Sequence, residues 1–307
     1  MNQTQGIVYQ LTNERERGMV ASYHRKPSPN FLNKTKHKVD IACLKSIEQR
    51  DAIIFDGEDF VTKFTVGMEV EKNSLHRNAV REYELFCGFE EDRSCGYEAV
   101  THVLPLLPAG KWRTKVFDMI HKAERIIDDN YSPSDKRCGG HITIGVDGMR
   151  GDEIRELMRK NCGIILALFR KRLNTVYCGS NRRMQSMYDS RFNSWSGASS
   201  VYYSYDAHSK YQTALVKGAT LEFRVPSKFE SVKQTMRRYE LFYEIVNFSI
   251  NTPNGKHDSL LKKLRPIILS MYNGDVAKTD NIMELSKHFR AFILKGTIHP
   301  DIEEFLQ

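Results

Sequence analysis

Residues 60–71, Phe60-Val61-Thr62-Lys63-Phe64-Thr65-Val66-Gly67-Met68-Glu69-Val70-Glu71, constrain this chain more than any other segment. β-Branched and aromatic residues alternate through it, which is the pattern of a β-strand. Successive side chains of a strand point to opposite faces, so Glu69 and Glu71 share one face. Two carboxylates side by side repel unless cations lie between them. By itself the pair also reads as a solvent-facing strand edge.

Three later segments have the same character. Asp92-Arg93-Ser94 reads as a turn, and Glu98 opens a strand that runs into Val100-Thr101. His141 follows Gly139-Gly140 at the mouth of a strand, His141–Val146. Glycine leaves room for a ligand to approach, and neutral imidazole ligates divalent metals. In Thr220-Leu221-Glu222-Phe223-Arg224-Val225, Glu222 and Arg224 share a strand face. That sets a carboxylate able to hold a metal beside a guanidinium whose fork fits phosphate. Each segment has a plain alternative: a hairpin acid, a hydrogen-bonded histidine, an in-strand salt bridge. Their order carries more. E-x-E, D-x-S-x-x-x-E, G-G-H and E-F-R follow one another across about 155 residues. As neighbouring strands of one sheet they would bring five carboxylates, one histidine and one arginine to one concave face. Oxygen-rich sites with few nitrogens favour Mg²⁺ or Mn²⁺.

The remaining pattern predicts an α+β fold with an antiparallel sheet, because a strand-rich middle has helices inserted and appended rather than alternating as βαβ units. Tyr83–Phe89 and Glu98–Leu104 read as strands, and Tyr211–Val225 returns to strand. Lys111–Ile127 is an amphipathic helix with Val116, Ile120, Ala123 and Ile127 on one face. Asp152–Leu173 reads as one long helix. Ser227-Lys228-Phe229-Glu230 reads as a capping box opening a helix, with Val232, Met236, Tyr239, Tyr243, Val246 and Ile250 on one face. Two more helices are expected near Ser259–Tyr272 and Asn281–Lys295. Ahead of these helices, between the Asp152–Leu173 helix and the Tyr211–Val225 strand, Gly179–Ser209, rich in Ser, Asn, Tyr and Arg, reads as a long loop or lid. The expected division is a basic arm or small lobe over 1–60, a main domain over 61–250 and a C-terminal helical extension over 251–307.

Composition narrows the classes. The chain of 307 residues can hold one large or two modest domains. Its net charge of +8 comes without a long Lys/Arg run, so nucleic acid is the weaker explanation beside a polyphosphate substrate. Tyr202, Tyr203 and Tyr205 could stack on bases, though packing beneath a loop accounts for them as well. No apolar run nears the roughly 20 residues that span a bilayer, and MNQTQGIVYQ lacks a signal core. None of the six cysteines forms a C-x-x-C pair. Reduced thiols in the cytoplasm, with no membrane partner, are expected.

The four motifs, with Lys210-Tyr211-Gln212-Thr213-Ala214-Leu215 before the last, resemble the amidoligase family of the carboxylate–amine ligase superfamily, to which glutamine synthetase and glutamate–cysteine ligase belong. The resemblance covers about Lys63 to Asn247. Thr143 stands where that family usually has a second histidine, and Thr101-His102 where a proline is common. The resemblance implies a curved antiparallel β-sheet of glutamine-synthetase type with helices on its outer face. It implies an ATP-dependent ligase that forms an amide through an acyl phosphate at a two-metal site. One Mg²⁺ or Mn²⁺ would be held by Glu69, His141 and Glu222, the other by Glu71 and Glu98 with Asp92 or Glu91. Glu69 and Arg224 would be catalytic, Arg224 stabilising the transferring phosphoryl group. Arg182, Arg183 and Lys210 would clamp phosphate or a substrate carboxylate. Substrates would be a carboxylate and an amine, drawn from small amino acids, peptides or protein side chains. The alternative is an inactive amidoligase-like binding or scaffold protein associated with nucleic acid.

Overall fold

The computed structural model describes residues 7–8, 61–92, 94–174 and 213–295. Nine strands lie among them: β1 (Ile7–Val8), β2 (Val61–Thr62), β3 (Phe64–Lys72), β4 (Phe86–Asp92), β5 (Gly96–Thr101), β6 (Leu104–Pro105), β7 (Ile142–Val146), β8 (Ala214–Lys217) and β9 (Thr220–Phe223). The helices are α1 (Arg77–Arg81), α2 (Lys111–Lys122), α3 (Glu124–Ile127), α4 (Gly151–Arg159), α5 (Gly163–Leu168), α6 (Val232–Asn251), α7 (His257–Met271) and α8 (Val276–Lys295). The fold is therefore α+β, as the order of motifs predicts. Strands β1 and β2 form a small pair. The others make a seven-stranded antiparallel sheet in the order β4-β5-β3-β7-β9-β8, with β6 beside β3.

Strand β3 is the centre of that sheet, and all nine of its residues are buried. One of its faces carries Phe64, Val66, Met68, Val70 and Lys72, and the other Thr65, Gly67, Glu69 and Glu71. Register repeats the division on the neighbours: Glu71 faces Glu98 and Glu69 faces Val100 on β5, while Gly67 faces Thr143 and Thr65 faces Gly145 on β7. The apolar face continues through Ile142, Ile144, Val146 and Ala99, all buried. A face so apolar must be covered, and burying each aliphatic side chain stabilises the fold by about 1.5–3 kcal/mol.

Two compact units divide the chain. The first comprises residues 1–152, 216–221 and 228–236, and the second 153–215, 222–227 and 237–307. In the first, the buried ammonium of Lys72 donates to Ile127 O at 2.7 Å, Asp129 Oδ1 at 2.6 Å and Phe229 O at 2.8 Å. Three acceptors match the three protons of an ammonium. The Lys228 ammonium and Ser134 hydroxyl also donate to Asp129. The second unit is mainly helical, with parts of β8 and β9. Helix α5 meets α8 through Gly163, where an added Cβ would lie 2.5 Å from Ser286 O and 2.7 Å from Arg290 N. Buried Asn161 donates to Ser249 Oγ at 2.8 Å, and Phe223 meets Phe242 edge-on.

Several elements differ from the sequence pattern for local reasons. The helix expected over Lys111–Ile127 breaks at Ala123 into α2 and α3, yet Val116, Ile120, Ala123 and Ile127 are all buried as patterned. The long helix expected over Asp152–Leu173 is α4, α5 and a 3₁₀ turn at Arg170–Asn174. It breaks where Asn161 turns inward to Ser249 and Gly163 must touch α8. Tyr211–Val225 is not one strand: Gly218, at φ 59°, turns the chain between β8 and β9. The capping box is also misplaced. Helix α6 starts at Val232, and Ser231 Oγ accepts the Gln234 N–H at 3.2 Å, so the cap is Ser231-x-x-Gln234. Ser227 instead accepts two bonds from the buried Arg238 guanidinium. On α6, Val232, Tyr239 and Val246 are buried, whereas Met236, Tyr243 and Ile250 are only half-buried. Helix α8 begins earlier than expected, because the Asp275 carboxylate caps the Lys278 N–H at 2.8 Å. Among the described residues, no helix is long and apolar enough to cross a membrane.

Candidate metal centre

The polar face of the sheet gathers most of the acids singled out in the sequence. Glu69, Glu71, Glu98 and Glu222 are 2%, 6%, 2% and 0% exposed. Burying one ionised carboxylate is costly, and burying several near one another demands compensation by positive charge. Strand alternation explains why they meet. Glu69 and Glu71 occupy every second position of β3, Glu98 lies opposite Glu71, and Glu222 sits on β9, a neighbour of β7. His141 enters just before β7: the Glu69 N–H donates to His141 O at 3.0 Å, which extends the ladder by one step.

The imidazole stands between two carboxylates. His141 Nδ1 is 2.7 Å from Glu69 Oε2, and Nε2 is 3.6 Å from Glu71 Oε1. The other Glu71 oxygen accepts the Gly139 N–H at 2.5 Å. The glycine pair thus does more than leave space, since it supplies a backbone donor that aims a carboxylate. Glu69, His141 and Glu222 each offer one ligand atom, and these atoms lie within 4.8 Å of one another. Two carboxylate oxygens and one imidazole nitrogen at that separation can share a divalent cation. Among the described residues, no other trio of His, Cys, Asp or Glu gathers so closely.

The remaining expected residues divide sharply. Glu71 and Glu98 face each other across β3 and β5 beside the trio. Asp92 shares their face, but it pairs with Gly96 at the hairpin tip, where its Oδ1 accepts from Ser94 N and Oγ, each at 2.6 Å. A turn cap explains it, and it stands one alternation, roughly 7 Å, beyond Glu98. Glu91 belongs to the opposite face, pairs with Tyr97 and is exposed, so the alternative of Glu91 as a ligand is corrected. Glu90 was overlooked. It lies directly across from Glu98, so Glu71, Glu98 and Glu90 form one row over three strands. The pairing of β4 with β5, which no spacing in the sequence reveals, is what finds it. Arg224 donates through Nη1 to Glu222 Oε1 at 2.5 Å, which is the in-strand salt bridge of the plain reading and orients the carboxylate. Arg182, Arg183, Lys210, the Gly179–Ser209 lid, the tyrosines at 202, 203 and 205, and residues 9–60 of the basic arm all lie outside the described residues.

Further along the same face the charge ends. Thr143 and Thr65 are 1% and 0% exposed, and their hydroxyls have no hydrogen-bond partner among the described residues. Other buried threonines are satisfied: Thr101 Oγ1 accepts the Met68 N–H and donates to His102 O. Gly145 is required beside Thr65, because a Cβ there would lie 2.6 Å from the Thr65 hydroxyl.

Compared with known proteins, the chain matches no protein-family model, no curated protein and no solved structure.

Proposed function

We propose that this chain is an ATP-dependent carboxylate–amine ligase whose first divalent cation, Mg²⁺ or Mn²⁺, is held by Glu69, His141 and Glu222. The observation that carries the reading is the convergence of these three buried side chains from distant parts of the sequence within 4.8 Å. Glu71 and Glu98, in cross-strand register beside them, are the holders proposed for a second cation, with Glu90 next in the row. Bound cations would neutralise the buried carboxylates and the developing charge on a transferring phosphoryl group. The γ-phosphoryl group of ATP would pass to a carboxylate oxygen, giving an acyl phosphate and ADP. An amine would then attack the acyl carbon, losing a proton as the amide forms and inorganic phosphate leaves. The chain's own part is to hold Glu222 in place through Arg224, to aim Glu71 through Gly139 N–H, and to fix His141 against Glu69.

A second reading has a specific observation behind it. Glu222 is bonded to Arg224 and Glu69 to His141, so the cluster could be a metal-free buried ion network in a binding or scaffold protein. Association with nucleic acid finds its candidate residues only outside the described segments. ADP release in Mg²⁺ or Mn²⁺, screened against amino acids and amines, separates the readings. The ligase reading expects turnover that Glu69→Gln and Glu222→Gln each abolish. Turnover that survives both substitutions overturns it.

A further inference from the structure

A cleft of about 430 Å³ opens in the first unit, away from the residues assigned above. Its size is within the roughly 300–1,000 Å³ of small-molecule sites. One wall follows the end of β3 into α1, and the other is formed by α3 and the segment after it. Leu75, Ala79 and Ile126 give it an apolar floor, and Tyr83 and Tyr131 add aromatic surface. Tyr131 is 58% exposed, the most exposed large apolar residue among those described, and it stands at this cleft.

The walls carry opposite charges. Glu82, an acid, lines it from the α1 side and Arg125, a base, from α3. They do not close on each other. Among the described residues neither side chain has a hydrogen bond or ion pair, although the Arg125 carbonyl accepts from Ser132 Oγ at 2.7 Å. The walls are also tied together. Asn73 N–H donates to Pro133 O at 2.9 Å, and Lys72 holds Ile127 O and Asp129. A cleft whose walls are fixed pays less ordering cost when a ligand enters.

We infer that this cleft binds a free α-amino acid with an aliphatic or aromatic side chain, its carboxylate on Arg125, its ammonium on Glu82 and its side chain on the apolar floor. A separated cation and anion over an apolar surface match a zwitterion with an apolar tail. A ligand with one charge leaves the other wall without its counter-charge. The inference does not depend on the ligase reading, because none of its residues belongs to the metal centre.

Calorimetric titration of the full chain in EDTA tests it, with L-leucine and L-phenylalanine as probes beside N-acetyl-leucine and leucinamide. The free amino acids should bind, and each blocked analogue should bind about tenfold or more weakly, the loss of one charged contact. Arg125→Gln should bind leucine and leucinamide alike. Glu82→Gln should bind leucine and N-acetyl-leucine alike. Both substitutions are on the surface and leave the fold intact, which circular dichroism checks. Absence of leucine and phenylalanine binding overturns the inference, and so does an unchanged preference among the analogues in both variants.

Discussion

Replacing Lys72 with methionine should cost this fold about 3 kcal/mol, the low end of the range for removing one partner of a buried ion pair. The lysine side chain is 0% exposed, and its ammonium is saturated by Ile127 O, Phe229 O and Asp129 Oδ1. Burial draws its pKa below the usual lysine range, a pull opposed by the hydrogen bond and charge of Asp129. Burial also pushes Asp129 upward, but the ammoniums of Lys228 and Lys72 outweigh it and hold that carboxyl low. Methionine keeps most of the apolar stem, so packing changes little. Two backbone carbonyls lose their donor, and a buried polar group left unmade costs about 1–3 kcal/mol. Asp129 is spared the full penalty, because Lys228 remains at 2.7 Å and the carboxylate is 28% exposed. Urea unfolding of wild type and variant in the same buffer measures the loss. Asp129→Asn should cost less in the Lys72→Met background than in wild type, since the two share one network. A loss below about 1 kcal/mol, or strict additivity of the two substitutions, would refute this account of the network.

Other outcomes follow from the same geometry. At a concentration about 100 times its Kd, Mn²⁺ should stabilise the wild type by roughly 2.7 kcal/mol in urea unfolding, and Glu69→Gln should lose most of that increment. His257, pulled down to about 4 first by burial and then by the Arg290 charge, sits neutral near Asn161 and Ser286. Its unfolded value is higher, so its contribution is complete above about pH 6.5 and is lost as pH falls toward about 4. His257→Asn should flatten the pH dependence of stability in that window, and an unchanged slope would show that the histidine is not buried neutral. Gly163→Ala should destabilise by about 1–3 kcal/mol in thermal unfolding, because the new methyl meets the backbone of α8.

Legibility followed how local each determinant is. Glu69, Glu71, Glu98 and Glu222 could be found from the sequence because strand alternation is a two-residue rule that needs no knowledge of distant partners. His141 was legible through the glycines before it, although Gly139 proved to donate a hydrogen bond to Glu71. Register across β4 and β5 was not legible, and it decides that Glu90 rather than Glu91 shares the face of Glu98. Helix breaks were missed for a similar reason. Residues 152–173 carry a continuous helical pattern, and only the approach of Gly163 to α8 and the inward turn of Asn161 show why one helix cannot run through. The α6 cap slipped by four residues because Ser227 and Ser231 offer the same chemistry, and Arg238 claims the first.

The central claim is that Glu69, His141 and Glu222 hold a divalent cation. Anomalous diffraction from crystals soaked in MnCl₂ tests it most directly. The account predicts a manganese peak at coordination distance from one oxygen each of Glu69 and Glu222 and from a ring nitrogen of His141. Manganese absent from that position, with Glu222 still bonded to Arg224 and His141 to Glu69, would contradict it.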